Sequence, residues 1–100
     1  MGASYGIFAG SPQAWARLRF SPQRARWVKN EQWHPEQRQV LAADGSLELE
    51  VPYSDERELV GDVLRHGAQV QVLAPPALQA RVAAEIAAMH AQASAPAARP

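Results

Sequence analysis

The sequence predicts one α+β domain in which four strands and two helices follow the order β-α-β-β-α-β, with a further helix near the C-terminal end. Apolar and polar residues alternate at 15–20 and 47–53, which is the period of a half-buried strand. Apolar residues recur every three or four positions after residues 54 and 76, which is the period of a helix. This order is typical of a ferredoxin-like sandwich, in which the first and third strands occupy the sheet centre.

The first strand and helix are predicted from consecutive signals. Alternation at 15–20 turns Ala16, Leu18 and Phe20 toward the core. Ser21 followed by a proline is typical of a helix start, and the helix is expected to continue to about Glu31. The Trp33-His34-Pro35 segment should end it, because a residue before proline is disfavoured in helical geometry. The expected buried residues of this helix are Ala25, Trp27 and Val28.

A hairpin is predicted next, with a weaker strand at 37–42, a turn at Asp44-Gly45 and a strand at 47–53. Ser54 is expected to cap the second helix, with Asp55 and Glu56 in its first turn. The buried stripe of that helix should comprise Leu59, Val60, Val63 and Leu64. Gly67 stands where a helix-terminating glycine is common.

A short strand is predicted at 69–73 with Val70 and Val72 inward, and Pro75-Pro76 should begin the last helix. The domain is expected to span 14–91. Residues 1–13 are expected to be a linker or arm, and residues 92–100 a disordered tail. The apolar stripe of the last helix requires burial, either on its own sheet or against a second copy. The candidate oligomer-interface residues are therefore Tyr5, Phe8, Leu78, Val82, Ile86 and Met89.

Composition excludes several classes of protein. The sequence lacks cysteine, so disulfides and thiolate zinc sites are excluded. It has no apolar run near the ~20 residues of a membrane span and no signal-peptide pattern. We therefore expect a cytoplasmic protein.

Charge is zero overall but uneven, because residues 1–35 carry five basic side chains and one acid, whereas residues 36–66 carry eight acids and three basic side chains. Basic and aromatic side chains together are typical of surfaces that bind single-stranded nucleic acid or another anion. On the strand, Arg17 and Arg19 are expected to pair with Glu48 and Glu50 instead. The candidate anion-binding residues are Arg24, Arg26, Lys29, Trp33, His34, Arg17 and Arg19.

No catalytic or metal-binding pattern stands out. The three histidines, His34, His66 and His90, lack metal-ligand spacing. His66 is expected in the last turn of a helix, where the dipole favours an imidazolium, and packing is the favoured role of His34. The serines are explained by turns and caps. We expect neither an enzyme nor a cofactor.

Several short motifs in a fixed order resemble a known family. They are Leu18-x-Phe20-Ser21-Pro22, Ala25-x-Trp27-Val28, Trp33-His34-Pro35-x-Gln37, Asp44-Gly45-Ser46, Glu58-Leu59 and Leu64-Arg65-His66-Gly67 through Val72-Leu73-Ala74-Pro75. Over roughly residues 5–90 the chain resembles the C-terminal extension (WCX) domain of bacterial WYL-domain transcriptional regulators.

The resemblance implies a ferredoxin-like fold and a regulatory role. Such regulators also contain a winged helix-turn-helix domain and a WYL domain, and the resemblance implies that these are the partners of this domain. It also implies that the domain contributes to dimerisation and to the sensing of a ligand, which in some members is nucleic acid. Neither of those domains is present in the 100 residues, so a C-terminal fragment of a regulator is expected. The alternatives are an anion-binding module that uses the basic first helix and a small ferredoxin-like enzyme.

Overall fold

A computed structural model describes residues 14–96. It contains the four strands and three helices that the sequence predicts, together with a short 3-10 turn at Gly67–Gln69. The expected N-terminal arm, with Tyr5 and Phe8, lies outside the described residues. The strands are β1 (Ala14–Phe20), β2 (Arg38–Leu41), β3 (Leu47–Tyr53) and β4 (Val70–Ala74), and the helices are α1 (Pro22–Val28), α2 (Glu56–Leu64) and α3 (Pro76–Ser94).

The strands form one antiparallel sheet in the order β2-β3-β1-β4. The predicted α+β class is confirmed, as is the central position of β1 beside β3. In their register, Arg17 lies opposite Glu50 and Arg19 lies opposite Glu48. Pairing between β1 and β4 shifts by one residue after Arg17. The two edges of the sheet are therefore β2 and β4.

One hydrophobic core lies between the sheet and the helices. The predicted inward residues of β1 are buried, as are Leu47, Leu49, Val51 and Tyr53 of β3, because alternation places them on the same side of the sheet. All three helices add side chains to this core. Its members are Ala16, Leu18, Phe20, Ala25, Val28, Leu47, Leu49, Val51, Tyr53, Leu59, Val60, Val63, Val72, Leu78 and Val82.

Helix α1 begins as predicted. The hydroxyl of Ser21 accepts a hydrogen bond from the backbone N–H of Arg24 at 3.1 Å, and Pro22 occupies the first turn. The helix ends at Val28, however, three residues before the predicted end and well before Pro35. The side chain of Gln37 explains the difference, since it donates to the carbonyl of Glu31 and accepts from the backbone N–H of His34. The chain after α1 is thereby folded into a loop.

The hairpin is confirmed. The backbone N–H of Ala42 donates to the carbonyl of Ser46, and Gly45 has a φ of 94°, in the region that favours glycine. The carboxylate of Asp44 accepts from both the backbone N–H and the hydroxyl of Ser46. These bonds lower the pKa of Asp44, because they stabilise its charged form.

Two predictions about α2 are corrected. Its N-cap is Asp55 rather than Ser54, because the Asp55 carboxylate accepts from the backbone N–H groups of Arg57 and Glu58. At its other end the helix stops at Leu64, so Gly67 belongs to the following 3-10 turn, where its φ is 58°. The predicted stripe is otherwise buried, apart from the half-buried Leu64.

Helix α3 starts at Pro76 and continues to Ser94, so three residues that were expected in the disordered tail are helical. Its buried residues are Leu78 and Val82, both in the first half of the helix. In the second half, Ile86 and Met89 are 53% and 52% exposed. The helix therefore packs on the core through its first turns and presents an apolar stripe beyond them.

Candidate functional site

The outward side of α1 combines an exposed tryptophan with basic side chains. Trp27 is 60% exposed, although the sequence predicts that it is buried. The reason lies in helix geometry, because successive residues are about 100° apart and Trp27 therefore points nearly opposite to the buried Ala25. The guanidinium of Arg24 lies 5.9 Å from the centre of the Trp27 ring, at the outer limit of a cation–π contact.

The basic side chains of α1 have no ion-pair partner in residues 14–96. The ion pairs found there use the arginines at 17, 19, 38, 65 and 81, and none uses Arg24, Arg26 or Lys29. The nearest acid along the chain, Glu31, accepts a hydrogen bond from the indole of Trp33 at 3.0 Å. We call Arg24, Arg26, Trp27 and Lys29 the α1 surface. It is cationic and has an accessible aromatic ring.

Two other predicted ligand residues are part of the packing instead. His34 is 7% exposed, and its Nδ1 accepts a hydrogen bond from the backbone N–H of Glu36 at 3.0 Å. Trp33 is half-buried and packs edge-on against Phe20, with 5.9 Å between ring centres. Both residues therefore lie in the packing of the domain rather than on the α1 surface. The one sequence signal that could have identified Trp27 as exposed is its position two residues after Ala25, which places the two side chains on nearly opposite sides of the helix.

The arginines on the open face of the sheet are paired. Arg17 approaches Glu48 at 3.1 Å and Glu50 at 3.7 Å, and Arg19 approaches Glu48 at 3.5 Å. Arg38 adds a contact with Glu50 at 3.8 Å. Its guanidinium also lies 4.9 Å from the ring centre of Trp15. The predicted cross-strand pairing is confirmed, so glutamates offset the charges of Arg17 and Arg19, whereas the charges of the α1 surface have no such partner in residues 14–96.

His66 differs from its prediction. It lies beyond the end of α2, is 6% exposed and packs edge-on against Phe20 with 5.1 Å between ring centres. Burial lowers the pKa of His66, and the charge of Arg65 lowers it further. An imidazolium is therefore disfavoured here rather than stabilised. Within residues 14–96, no group of three or more histidine or acidic side chains is placed to hold a metal ion.

A second surface lies beside α3. A groove of about 660 Å³ runs between β4, the end of α2 and the second half of α3. Its lining is mainly apolar, with Gln71, Gln79 and His90 among the polar residues. We call it the α3 groove. The apolar residues that define it are Val63, Leu64, Val70, Val82, Ile86 and Met89.

The predicted oligomer-interface residues divide into two groups. Leu78 is fully buried in the core of its own chain, and Val82 is nearly buried and contributes only to the lining of the α3 groove. Ile86 and Met89 are exposed and border the α3 groove. Sequence periodicity places all four on one stripe, and only their burial in the folded domain separates them.

Comparison with known proteins identifies the family. The model of the WCX domain matches residues 12–90, which include every strand of the sheet and most of α3. The chain belongs to the WCX domain family, and the resemblance drawn from the motifs is confirmed. A search of curated proteins found no match to the chain.

None of the helices within residues 14–96 combines the length and the apolar character needed to cross a bilayer.

Proposed function

We propose that this domain is the regulatory and oligomerisation module of a WYL-type DNA-binding transcriptional regulator. It acts beside a WYL domain and a helix-turn-helix domain in the bacterial cytoplasm and catalyses no reaction itself. Membership of the WCX family supports this proposal. The single observation that carries the oligomerisation role is the apolar stripe of α3, where Ile86 and Met89 are about half exposed on a helix that continues beyond its own core.

We also assign the fold to the ferredoxin-like class. The strand order β2-β3-β1-β4 supports this assignment, because each strand–helix–strand unit then encloses one other strand. Both edges of such a sheet are short, and α3 packs on β4 at one of them. The addition of α3 to the basic six elements provides the surface on which oligomerisation is proposed.

Light scattering over a wide range of protein concentration tests the oligomerisation role. The chain has a mass of 10.9 kDa, and a dimer would double it. We expect the mass to rise toward that of a dimer, and we expect Ile86→Arg to keep the chain monomeric because a buried unpaired charge is costly. Ala84→Arg, at an exposed position of the same helix outside the groove, is the matched control. A monomer at every concentration would remove oligomerisation from this domain.

An effector-response role is the second candidate, and it is carried by the α1 surface. Arg24, Arg26 and Lys29 have no carboxylate partner within residues 14–96, and the guanidinium of Arg24 lies 5.9 Å from the centre of the exposed Trp27 ring. An exposed ring on a cationic surface is suited to an anionic ligand with a planar group, including single-stranded nucleic acid. Bases stack on such rings and phosphates neutralise the cations.

Titration with a single-stranded oligothymidylate, followed by tryptophan fluorescence, tests this second role. We expect binding that weakens with salt, by about 0.7 logarithmic units of affinity per neutralised phosphate for each tenfold rise in salt. The double variant Arg24→Ala/Arg26→Ala should lower both affinity and salt dependence. Arg57→Ala, an exposed arginine on α2, is the matched control. Equal binding by the double variant and the control would eliminate the α1 surface as the ligand site.

A further inference from the structure

The second half of α3 extends beyond the core of the domain. Leu78 and Val82, in the first half, are members of the core, whereas every residue at 86–94 is exposed. The exposed side of a helix in a monomer normally carries charged side chains, yet 86–94 contains no aspartate, glutamate, lysine or arginine. Depletion of charge around the exposed Ile86 and Met89 is typical of the centre of a protein–protein interface.

The apolar residues of α3 that border the α3 groove follow a coiled-coil pattern. Val82, Ile86, Met89 and Ala93 all line the groove and are spaced four, three and four residues apart. This is the spacing of helices that pack side by side, with the side chains of one helix inserted between those of the other. The pattern therefore favours a helix with apolar and small side chains as the occupant. The second half of α3 itself has that composition and an exposed apolar side.

We propose that α3 of a second copy covers the α3 groove, in an antiparallel pair in which Ile86 of each chain packs against Met89 of the other. A twofold axis midway between positions 87 and 88 relates the two chains, so this contact occurs twice. The inference rests on the proposed oligomerisation role. It adds to that role the orientation of the two helices, their register and the residues in contact.

The antiparallel orientation follows from the place where α3 meets its own core. Leu78 and Val82 pack in the core, and α3 contacts β4 and α2, so the apolar side of its first half is already covered. In a parallel pair, the first half of the second α3 would have to lie along this covered side, where the two domains would collide. In an antiparallel pair the two domains lie at opposite ends, and the exposed second halves overlap.

The register follows from the two large exposed side chains. Pairing Ile86 with Met89 gives each of them a large apolar counterpart in the second copy. The same register sets the nearly buried Val82 opposite Ala93, whose small side chain suits the limited space there. A shift of one heptad in either direction would set Met89 opposite Ala93 or Gln79 instead, and would leave less of its apolar surface covered.

Complementary charges test this pairing, with the mass measured by light scattering. Ile86→Arg and Met89→Glu each place an unpaired charge in the contact, so each variant alone should raise the dimer Kd by at least about tenfold. Mixing the two variants should restore a dimer, because the introduced guanidinium then faces the introduced carboxylate. A mixture of Ile86→Arg with Ile86→Glu is the matched control, since it contains the same two charges but pairs them only in a parallel arrangement. Both positions are exposed, so the fold of the domain tolerates these changes.

We expect the mass of a dimer for the natural chain and for the mixture of Ile86→Arg with Met89→Glu, and the mass of a monomer for each single variant and for the control mixture. A natural chain that is monomeric at every concentration overturns the proposed oligomerisation and this inference with it. A natural dimer that both single variants retain overturns this inference alone, because the contact then lies elsewhere. Recovery of the dimer in the control mixture, or in neither mixture, also overturns the antiparallel register.

Discussion

The indole ring of Trp33 stacks on the imidazole ring of His66, with ring centres 5.8 Å apart and an interplanar angle of 16°. Phe20 contacts both rings edge-on. The three residues come from β1, from the loop after α1 and from the segment after α2. Their contact therefore joins three separate parts of the chain at one end of the core.

Protonation of His66 is expected to destabilise the domain. Both ring nitrogens are buried and lack a hydrogen-bond partner among residues 14–96, and burial lowers the pKa of the imidazole in the folded state. Arg65 and Arg24 lower this pKa as well, whereas Glu31 and Asp62 oppose them. Because the unfolded state binds the proton more readily, the free energy of unfolding is highest above about pH 6.5 and falls as the pH decreases below it.

Urea denaturation between pH 7.5 and 5 measures this effect. Each unit by which the folded-state pKa is lowered corresponds to a loss of up to about 1.4 kcal/mol at low pH. His66→Phe should flatten the profile, because it removes the buried imidazole. A natural chain whose stability changes with pH no more than that of His66→Phe would show that His66 does not titrate on unfolding.

Trp27 and Trp33 are expected to differ sharply in their contribution to stability. Trp27→Ala should change the free energy of unfolding by less than about 0.5 kcal/mol, because its ring lies mostly in solvent. Trp33→Ala should lower it by about 2–4 kcal/mol, because it removes the ring that packs on Phe20 and His66. Chemical denaturation of the two variants compares them directly. A larger loss for Trp27→Ala would contradict the exposed position of that residue.

Two glycine-to-alanine substitutions are expected to have opposite effects. At Gly45 the φ of 94° is unfavourable for alanine, and an added Cβ would lie 3.3 Å from the Cβ of Pro22, so we expect a loss of about 1–2 kcal/mol. At Gly61, within α2, an added Cβ meets no atom within 4 Å, and alanine should stabilise the helix by about 0.5–1 kcal/mol. Thermal unfolding distinguishes them. Shifts of the same sign would refute the difference in backbone conformation.

The cap of α1 is expected to be important for stability. The hydroxyl of Ser21 accepts from the backbone N–H of Arg24 and donates to the side chain of Gln69, which joins α1 to the turn before β4. Ser21→Ala removes both bonds and should lower the free energy of unfolding by about 1–2 kcal/mol. Ser21→Thr keeps the hydroxyl and serves as the control in the same denaturation experiment. Equal losses in the two variants would indicate that the hydroxyl contributes little.

Much of the fold follows from local patterns in the sequence. Alternation fixed the inward residues of β1 and β3, the Asp44-Gly45 pair fixed the hairpin turn, and Ser21-Pro22 fixed the start of α1. Each of these signals acts over a few residues through backbone geometry or a side-chain cap. Cross-strand pairing of Arg17 with the glutamates of β3 was also predictable, because the predicted order makes β1 and β3 neighbours and alternation places these side chains on the same face of the sheet.

The candidate sites were less predictable because they depend on which neighbours cover a residue. Trp27 and Trp33 have the same side chain, yet the first is exposed beside Arg24 and the second packs under His66. The loop that positions Trp33 depends on hydrogen bonds to Gln37, four residues away, and these end α1 early. The spacing of apolar residues in the sequence does not predict such contacts.

The sequence by itself determined the class of the fold, the order of its elements, most of its core and its membership of the WCX family, because periodicity, caps and turn residues act locally. Only the tertiary structure decided which aromatic rings meet solvent and where α3 leaves the core. Leu78 and Ile86 belong to the same helical stripe, but the first is fully buried in the core and the second is 53% exposed. Burial depends on how the sheet and the helices pack against each other. The surfaces available to a partner could therefore be identified only from the tertiary structure.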